Sequence, residues 1–313
     1  MRIFDFEKEI PFMSLRWPAM IFSTLLVIGS IVSLAVNQLN WGLDFTGGTV
    51  IEVGYEQPAE LSKVRAQLSE VGFADAVVQH FGSSEDVLIR LAPREGVNAN
   101  TMGDQVLAAL RADNAKVDMR RIEFVGPQVG EELTEQGGLA MLVALICILL
   151  YVAMRFEWRF GLGSVAALAH DVIITLGLFS VLQLEFDLTV LAAVLAVIGY
   201  SLNDTIVVMD RIRENFRKLR KGEPADIINI SLTQTMSRTI ITSGTTLLVL
   251  LALFFKGGAL IHGFATALLF GIFVGTYSSI YIASAVALML GISKEDLMPP
   301  EVEKEGADLD PLP

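Results

Sequence analysis

Two aspartates and one arginine stand where the surrounding sequence offers almost nothing else that can do chemistry. Asp204 lies in "GYSLNDTIVVMDRIREN", which runs from Gly199 to Asn215 and follows a long apolar run. Asp171 lies in "AALAHDVIITLG", and Arg238 in "TMSRTIITSGTT". A carboxylate inside an apolar span costs about 2.5–3.5 kcal/mol even on the lenient insertion scale, so such a residue reads first as functional. A carboxylate beside a guanidinium keeps its charge; desolvated and parted from it, the same group takes up a proton. Alternation between those surroundings is a physical basis for ion-coupled motion. Arg238 is the natural counter-charge for Asp204 and Asp171.

Each residue also has a plainer reading. Asp204 precedes Arg211 by seven positions, so it sits about 10 Å from the rim at 1.5 Å per residue. An aspartate is too short to snorkel that far. Tyr200, Ser201 and Val208 share its helical face, and Asn203 adjoins it, which favours a polar cluster facing the bundle interior. Adjacent helical positions point about 100° apart. His170 and Asp171 therefore cannot both face one partner squarely, and His170 reads first as a packing residue. Arg238 by position alone is a cationic anchor. The run Thr239, Thr242, Ser243, Thr245 and Thr246 after it can line a wet path or bond across helices. Asp210, six residues past Asp204, reads as a helix-end salt bridge at the rim. Gly271 and Gly275 have the spacing of close helix packing.

These residues need a bundle to hold them. The chain has 313 residues, 53% of them hydrophobic, with long apolar runs alternating with charged segments. That pattern is a polytopic membrane protein with one soluble insert. Hydropathy windows predict six spans, at 18–37, 137–155, 163–184, 188–209, 239–255 and 264–291. The first is longer than a signal-peptide core and reads as a retained anchor. Lys and Arg concentrate between spans two and three and between spans four and five, from Arg211 to Lys221. The expectation is therefore that the N-terminal segment 1–17 and the acidic tail 292–313 are cytoplasmic, with residues 38–136 outside. Spans two to six occupy 137–291.

Composition also excludes classes. The net charge is −12, most of it in the insert and the tail, which argues against nucleic acid as a partner. One cysteine, Cys147, and three scattered histidines (His80, His170, His262) offer no disulfide, no metal centre and no cofactor site. No nucleotide-binding loop, nucleophile elbow or metal-ligand spacing is present, so an enzyme is not expected.

Within the insert, "TVIEVGY" alternates as a strand, and "PAELSKVRAQLSEVG" has helical periodicity from Pro58 to about Gly72. "AVVQHFG" and "DVLIRLA" read as strands joined through "GSSE". "VNANTMGDQVLAALRADN" reads as a second helix, and "KVDMRRIEFVG" as a last strand. The predicted order is βαββαβ, an α+β ferredoxin-like domain beside the α-helical membrane part. Before it, Asp44, Gly47 and Gly48 in "DFTGG" form a shaped linker: the glycines allow unusual backbone angles, and Asp44 can bond nearby amides. A simple turn and a mechanical coupling between membrane and insert are both open readings.

Five motifs in order carry a resemblance. They are "WGLDFTGGTVIEV" after the first span, "FVGPQVGEEL" before the second, "AHDV" in the third, "GYSLNDTIVVMDRIREN" in the fourth and "SRTIITSGTTL" opening the fifth. Together they resemble the SecD/SecF family of RND-type membrane proteins, on its SecF side. The resemblance implies a bacterial inner-membrane subunit paired with SecD, which supplies six more spans, and associated with the SecYEG channel and YajC. It implies use of the proton motive force in late translocation and release of the preprotein. The family's ion-pathway aspartate matches Asp204, its essential arginine matches Arg238, and Asp171 matches a span-three position. The coupling ion can be H⁺ or Na⁺, and no cofactor is implied. Two other classes remain at this point. Half of a small-molecule or ion transporter would want more external chain than this insert provides. A structural scaffold for the translocon would make neutralised Asp204 harmless.

Overall fold

The computed structural model describes residues 9–93, 99–112, 116–219 and 222–292. The N-terminal residues 1–8, the cations Arg220 and Lys221 and the acidic tail beyond Ile292 lie outside the described residues. A 3₁₀ turn, Phe12–Leu15, leads into α1 (Arg16–Val36). Then follow β1 (Asn40–Trp41), α2 (Leu43–Thr46) and β2 (Gly48–Tyr55). The insert continues with α3 (Leu61–Glu70), β3 (Val77–Phe81), β4 (Ser83–Leu91), α4 (Ala99–Arg111) and β5 (Val117–Val125). The bundle is completed by α5 (Pro127–Arg155), α6 (Trp158–Leu182), β6 (Glu185–Phe186), α7 (Leu188–Lys218), α8 (Pro224–Lys256) and α9 (Ala259–Ser278). A π-turn, Ser279–Ala283, and α10 (Ser284–Met289) end it.

Among the described residues, six helices are long and apolar enough to cross a membrane. They run longer than the hydropathy windows. Pro127 and Pro224 open α5 and α8 at the first helical position, where a missing N–H costs nothing. The first half of α8 is buried yet partly polar: Ser231, Thr233 and Thr235 are buried beside Ile227, Ile228, Leu232 and Met236, and they keep the mean hydropathy down. A window therefore begins the span at 239, and Arg238, expected to open it, sits mid-helix. The sixth span runs unbroken over Leu260–Met289 and carries the π-turn within it.

The insert sheet has the order β3-β4-β2-β5, every neighbouring pair antiparallel. Its elements follow the predicted order β-α-β-β-α-β. One face carries the core, with Ile51, Val53, Val87, Ile89 and Val117 packed against Val64 and Leu68 of α3 and Val106 and Leu110 of α4. The other face carries Val50 and Leu88, which pack on Leu43 at the roof of the bundle. β3 turns into β4 at Gly82, whose φ of 77° suits a residue without Cβ.

Helices α6, α7 and α9 form the buried centre of the bundle; α1 and α5 lie outside with most of their apolar surface open. Small residues set the spacing. A Cβ on Gly177 would fall 2.2 Å from Ser30 Oγ, and one on Gly271 2.3 Å from Val197 Cγ2. Such close backbones are how membrane helices gain packing contact where lipid supplies no hydrophobic drive.

Candidate functional site: a carboxylate pair and an interdomain junction

Asp204 projects from α7 into the bundle and is 7% exposed. Thr239 of α8 donates to its Oδ1 at 2.8 Å, and Ser279 to its Oδ2 at 2.6 Å. Asp171 projects from α6 and is fully buried. Ser201 of α7 and Ser278 of α9 donate to its Oδ2 at 2.5 and 2.8 Å. His170 Nδ1 is 2.9 Å from its Oδ1. The expectation that His170 and Asp171 could not share a partner misses this arrangement, in which they bond each other. The His170 ring stacks on Tyr277, and its Nε2 is buried with no hydrogen-bond partner.

Five hydroxyl or imidazole groups, from α6, α7, α8, α9 and the π-turn, thus converge on two carboxylates, and neither carboxylate pairs with a lysine or arginine among the described residues. Hydroxyls can serve a charged or a protonated carboxyl, since each both donates and accepts. A carboxylate held this way can exchange a proton or small cation without breaking an ion pair. Gly275 makes room for it: a Cβ there would lie 3.0 Å from Ser201 Cβ and 3.5 Å from Asp171 Oδ2. Nearby, Ser243 meets Thr276 at 2.9 Å and Tyr200 at 3.4 Å, so the Thr/Ser run does bond across helices.

Arg238 and Asn203 stand apart from this cluster. Both are exposed on the flank of the bundle. Arg238 makes no ion pair with any described residue, though its field reaches Asp204 from the neighbouring helix. Asp210, expected in a local helix-end bridge, instead pairs across helices with Arg155 at the end of α5, Nη2 lying 2.6 and 2.5 Å from its two oxygens. Sequence reasoning passes over Ser278 and Ser279. Their signal is a Ser-Ser pair in "GTYSSIYIASAV", an otherwise apolar stretch with no turn.

The "DFTGG" stretch is more than a turn. Asp44 Oδ2 accepts from Leu188 N at 3.0 Å, so it helps cap α7 from across the chain. Asp187 Oδ1 accepts from Val190 N at 2.8 Å in the same turn. Two carboxylates thereby satisfy free amides at a helix start, where the dipole favours negative charge. Gly47 and Gly48 have φ of 66° and 121°. A Cβ on Gly48 would lie 2.4 Å from Leu91 O, and one on Gly130 of α5 3.0 Å from Gly47 N. Thr134 of α5 also bonds Phe45 O at 3.4 Å. β1 pairs in parallel with β6, Asn40 opposite Glu185 and Trp41 opposite Phe186. One short segment therefore joins the insert sheet, α5 and the start of α7.

A family model described as "Protein export membrane protein SecD/SecF, C-terminal" matches residues 105–293, and one described as "SecD/SecF GG Motif" matches residues 32–59. The chain is 64% identical to protein translocase subunit SecF of Vibrio alginolyticus, over all of this chain and 99% of that one. It is 53% identical to protein translocase subunit SecF of Escherichia coli O157:H7, over 94% of this chain and 92% of that one. Among solved structures it resembles SecDF of Thermus thermophilus, described as a translocon-associated membrane protein, with a TM-score of 0.82 and 41% identity over 91% of this chain. SecDF in its super-membrane-facing form gives a TM-score of 0.69 and 40% identity. The chain spans 39% of each of those SecDF chains. It belongs to the SecD/SecF family of protein export membrane proteins, and the relatives that match it from end to end are SecF subunits.

Proposed function

We propose that this multi-pass membrane protein works with a SecD subunit to couple the proton motive force to late translocation and release of exported proteins. The carrying observation is Asp204, buried in the bundle and held by two hydroxyls rather than by a cation. It is the ion-binding carboxylate, Asp171 its buried companion, and Arg238 the mobile counter-charge. Arg238 and Asn203 are polar groups open on the side of an apolar bundle. In hydrocarbon such groups are costly unless protein covers them. A second bundle, from SecD, covers them and brings Arg238 to its working position. The membrane is the bacterial inner membrane, with both termini cytoplasmic and residues 38–136 periplasmic. SecYEG, YajC and the preprotein complete the assembly. The role is transport and involves no catalysis.

The test is Asp204→Asn in cells that depend on this chain. Export and release driven by membrane potential are expected to fall, while the complex still assembles. Unchanged export would sink the coupling role and favour the scaffold reading. Repeating the assay with proton and with sodium gradients identifies the ion.

A further inference from the structure

Ser278 and Ser279 are consecutive and wholly buried, yet they serve different carboxylates on different helices. Ser278 Oγ donates to Asp171 on α6 and Ser279 Oγ to Asp204 on α7. The change from α to π hydrogen bonding falls between them. π-turns add one residue to a helical turn and gather at functional sites. Here Ser284 Oγ lies 3.4 Å from Ser279 O, five residues back, over the widened turn.

We propose that this serine pair couples the two carboxylates, so that a proton or monovalent cation at one changes the affinity of the other, and that the π-turn is the element that moves. The inference rests on the reading of Asp204 as an ion-binding group. Each hydroxyl has one proton and two acceptors within reach. Ser278 has Asp171 at 2.8 Å or Gly275 O at 3.1 Å. Ser279 has Asp204 at 2.6 Å or Thr276 O at 3.0 Å. A charged carboxylate holds the hydroxyl, because a charge-assisted bond is about twice as strong as a neutral one. Once the carboxylate is neutralised, the hydroxyl turns back to the carbonyl of its own helix, a bond that bends helices. Turning one serine at the junction alters the backbone that carries the other. The titratable and charged groups around the pair are His170 and Asp171 from α6, Asp204 from α7, Arg238 from α8, Tyr277 from α9 and Tyr281 from the π-turn itself. Of these, Asp171 and Asp204 take bonds from the serines. Ser278 and Ser279 are positioning residues, since they act through the carboxylates.

The experiment is an infrared pH titration of the full chain in complex with its SecD partner in lipid nanodiscs. The carboxyl bands are assigned by their loss in Asp171→Asn and in Asp204→Asn. Of the two carboxylates, Ser279→Ala removes a contact to Asp204 alone. It is expected to move the titration of the Asp171 band by about three-fold or more in proton affinity, and Ser279→Thr to restore it. If the alanine variant does not assemble, Ser279→Cys keeps the volume with a weaker donor and is read in the same way. An Asp171 band indifferent to Ser279 overturns the coupling, whatever the Asp204 band does. Export that proves independent of Asp204 while Asp171 still responds to Ser279 overturns the ion-coupling reading and leaves this one standing.

Discussion

Arg90, in strand β4 of the insert, reaches Glu185 in the connection between α6 and α7, Nη2 to Oε1, at 2.7 Å. The same guanidinium donates to Trp41 O at 3.1 Å. One cation therefore ties the sheet to both strands of the small β1-β6 pair at the roof of the bundle. Beside this tie, Gln79 and Phe81 of β3 and Phe254 and Leu260 near the α8-α9 turn line a cleft of about 720 Å³.

Glu185 should make stability depend on pH. Burial pushes its carboxyl above its ordinary value of 4.5, and Asp187 and Asp44 push the same way, while Arg90 pulls it down without cancelling the rise. The folded protein thus binds this proton more tightly than the unfolded chain. A group raised in this sense contributes stability below its ordinary value and loses it as pH rises through the raised value. The difference in thermal unfolding temperature between wild type and Glu185→Gln should therefore shift against wild type as pH climbs above about 4.5. A difference that shifts in favour of wild type with rising pH would contradict the sign argued here.

The linker predicts an order of effects. Asp44→Ala removes one capping carboxylate from the start of α7 and leaves Asp187 in place, a loss of about 0.5–2 kcal/mol. Gly48→Ala is worse. It forces a side chain onto a φ of 121°, about 1–3 kcal/mol of backbone strain, and drives Cβ into Leu91 O. Thermal unfolding of the purified protein in detergent should rank wild type above Asp44→Ala above Gly48→Ala. Equal stability of wild type and Gly48→Ala would show that the junction is looser than drawn.

The two aspartates of α7 should part company. Asp210 and Arg155 are each more than a third exposed, and an ion pair of that kind contributes about 0.2–1 kcal/mol. Asp210→Asn should therefore leave export intact and lower stability only slightly. Thr239→Val, by contrast, strips a donor from the buried Asp204, at about 1–3 kcal/mol, and should depress export; Thr239→Ser should recover it. Export assays on the three variants, with expression controls, make the comparison.

Much of this arrangement is readable from residues alone, for definite reasons. Alternating and helical periodicities place the insert elements because each turns an apolar face to a shared core, although β2 and β4 also bury residues of their second face. Asp204, Asp171 and Arg238 stand out because charge in an apolar span is rare. What local pattern cannot reach is pairing across the chain. Nothing near Asp44 announces that it caps a helix starting at Leu188, and nothing near Asp210 points to Arg155. Ser278 and Ser279 escape for another reason: serine is common in membrane helices, and the π-turn that aims them depends on packing against α6 and α7. The start of α8 is missed because it buries Ser231, Thr233 and Thr235 beside its apolar residues, which holds its mean hydropathy down.

The same packing supplies a last prediction, at Gly271. Its backbone lies so close to α7 that a Cβ would meet Val197 Cγ2 at 2.3 Å and Cγ1 at 2.7 Å. Val197 is itself fully buried, between Val194 and Ile198 in the core shared by α7 and α9. It is β-branched, so its rotamer cannot swing aside within a helix. Gly271→Ala must then push α9 outward, an overpacking cost of about 1–3 kcal/mol. That displacement acts one turn from Gly275 and two turns from the serines that hold Asp171 and Asp204. Both stability and export should fall. Val197→Ala removes the two methyl groups in the way, so the double variant should recover stability relative to Gly271→Ala alone. Two residues in contact are expected to be non-additive in this manner. Additive losses in the double-mutant cycle, measured by thermal unfolding, would mean that α9 is held by other contacts than this one.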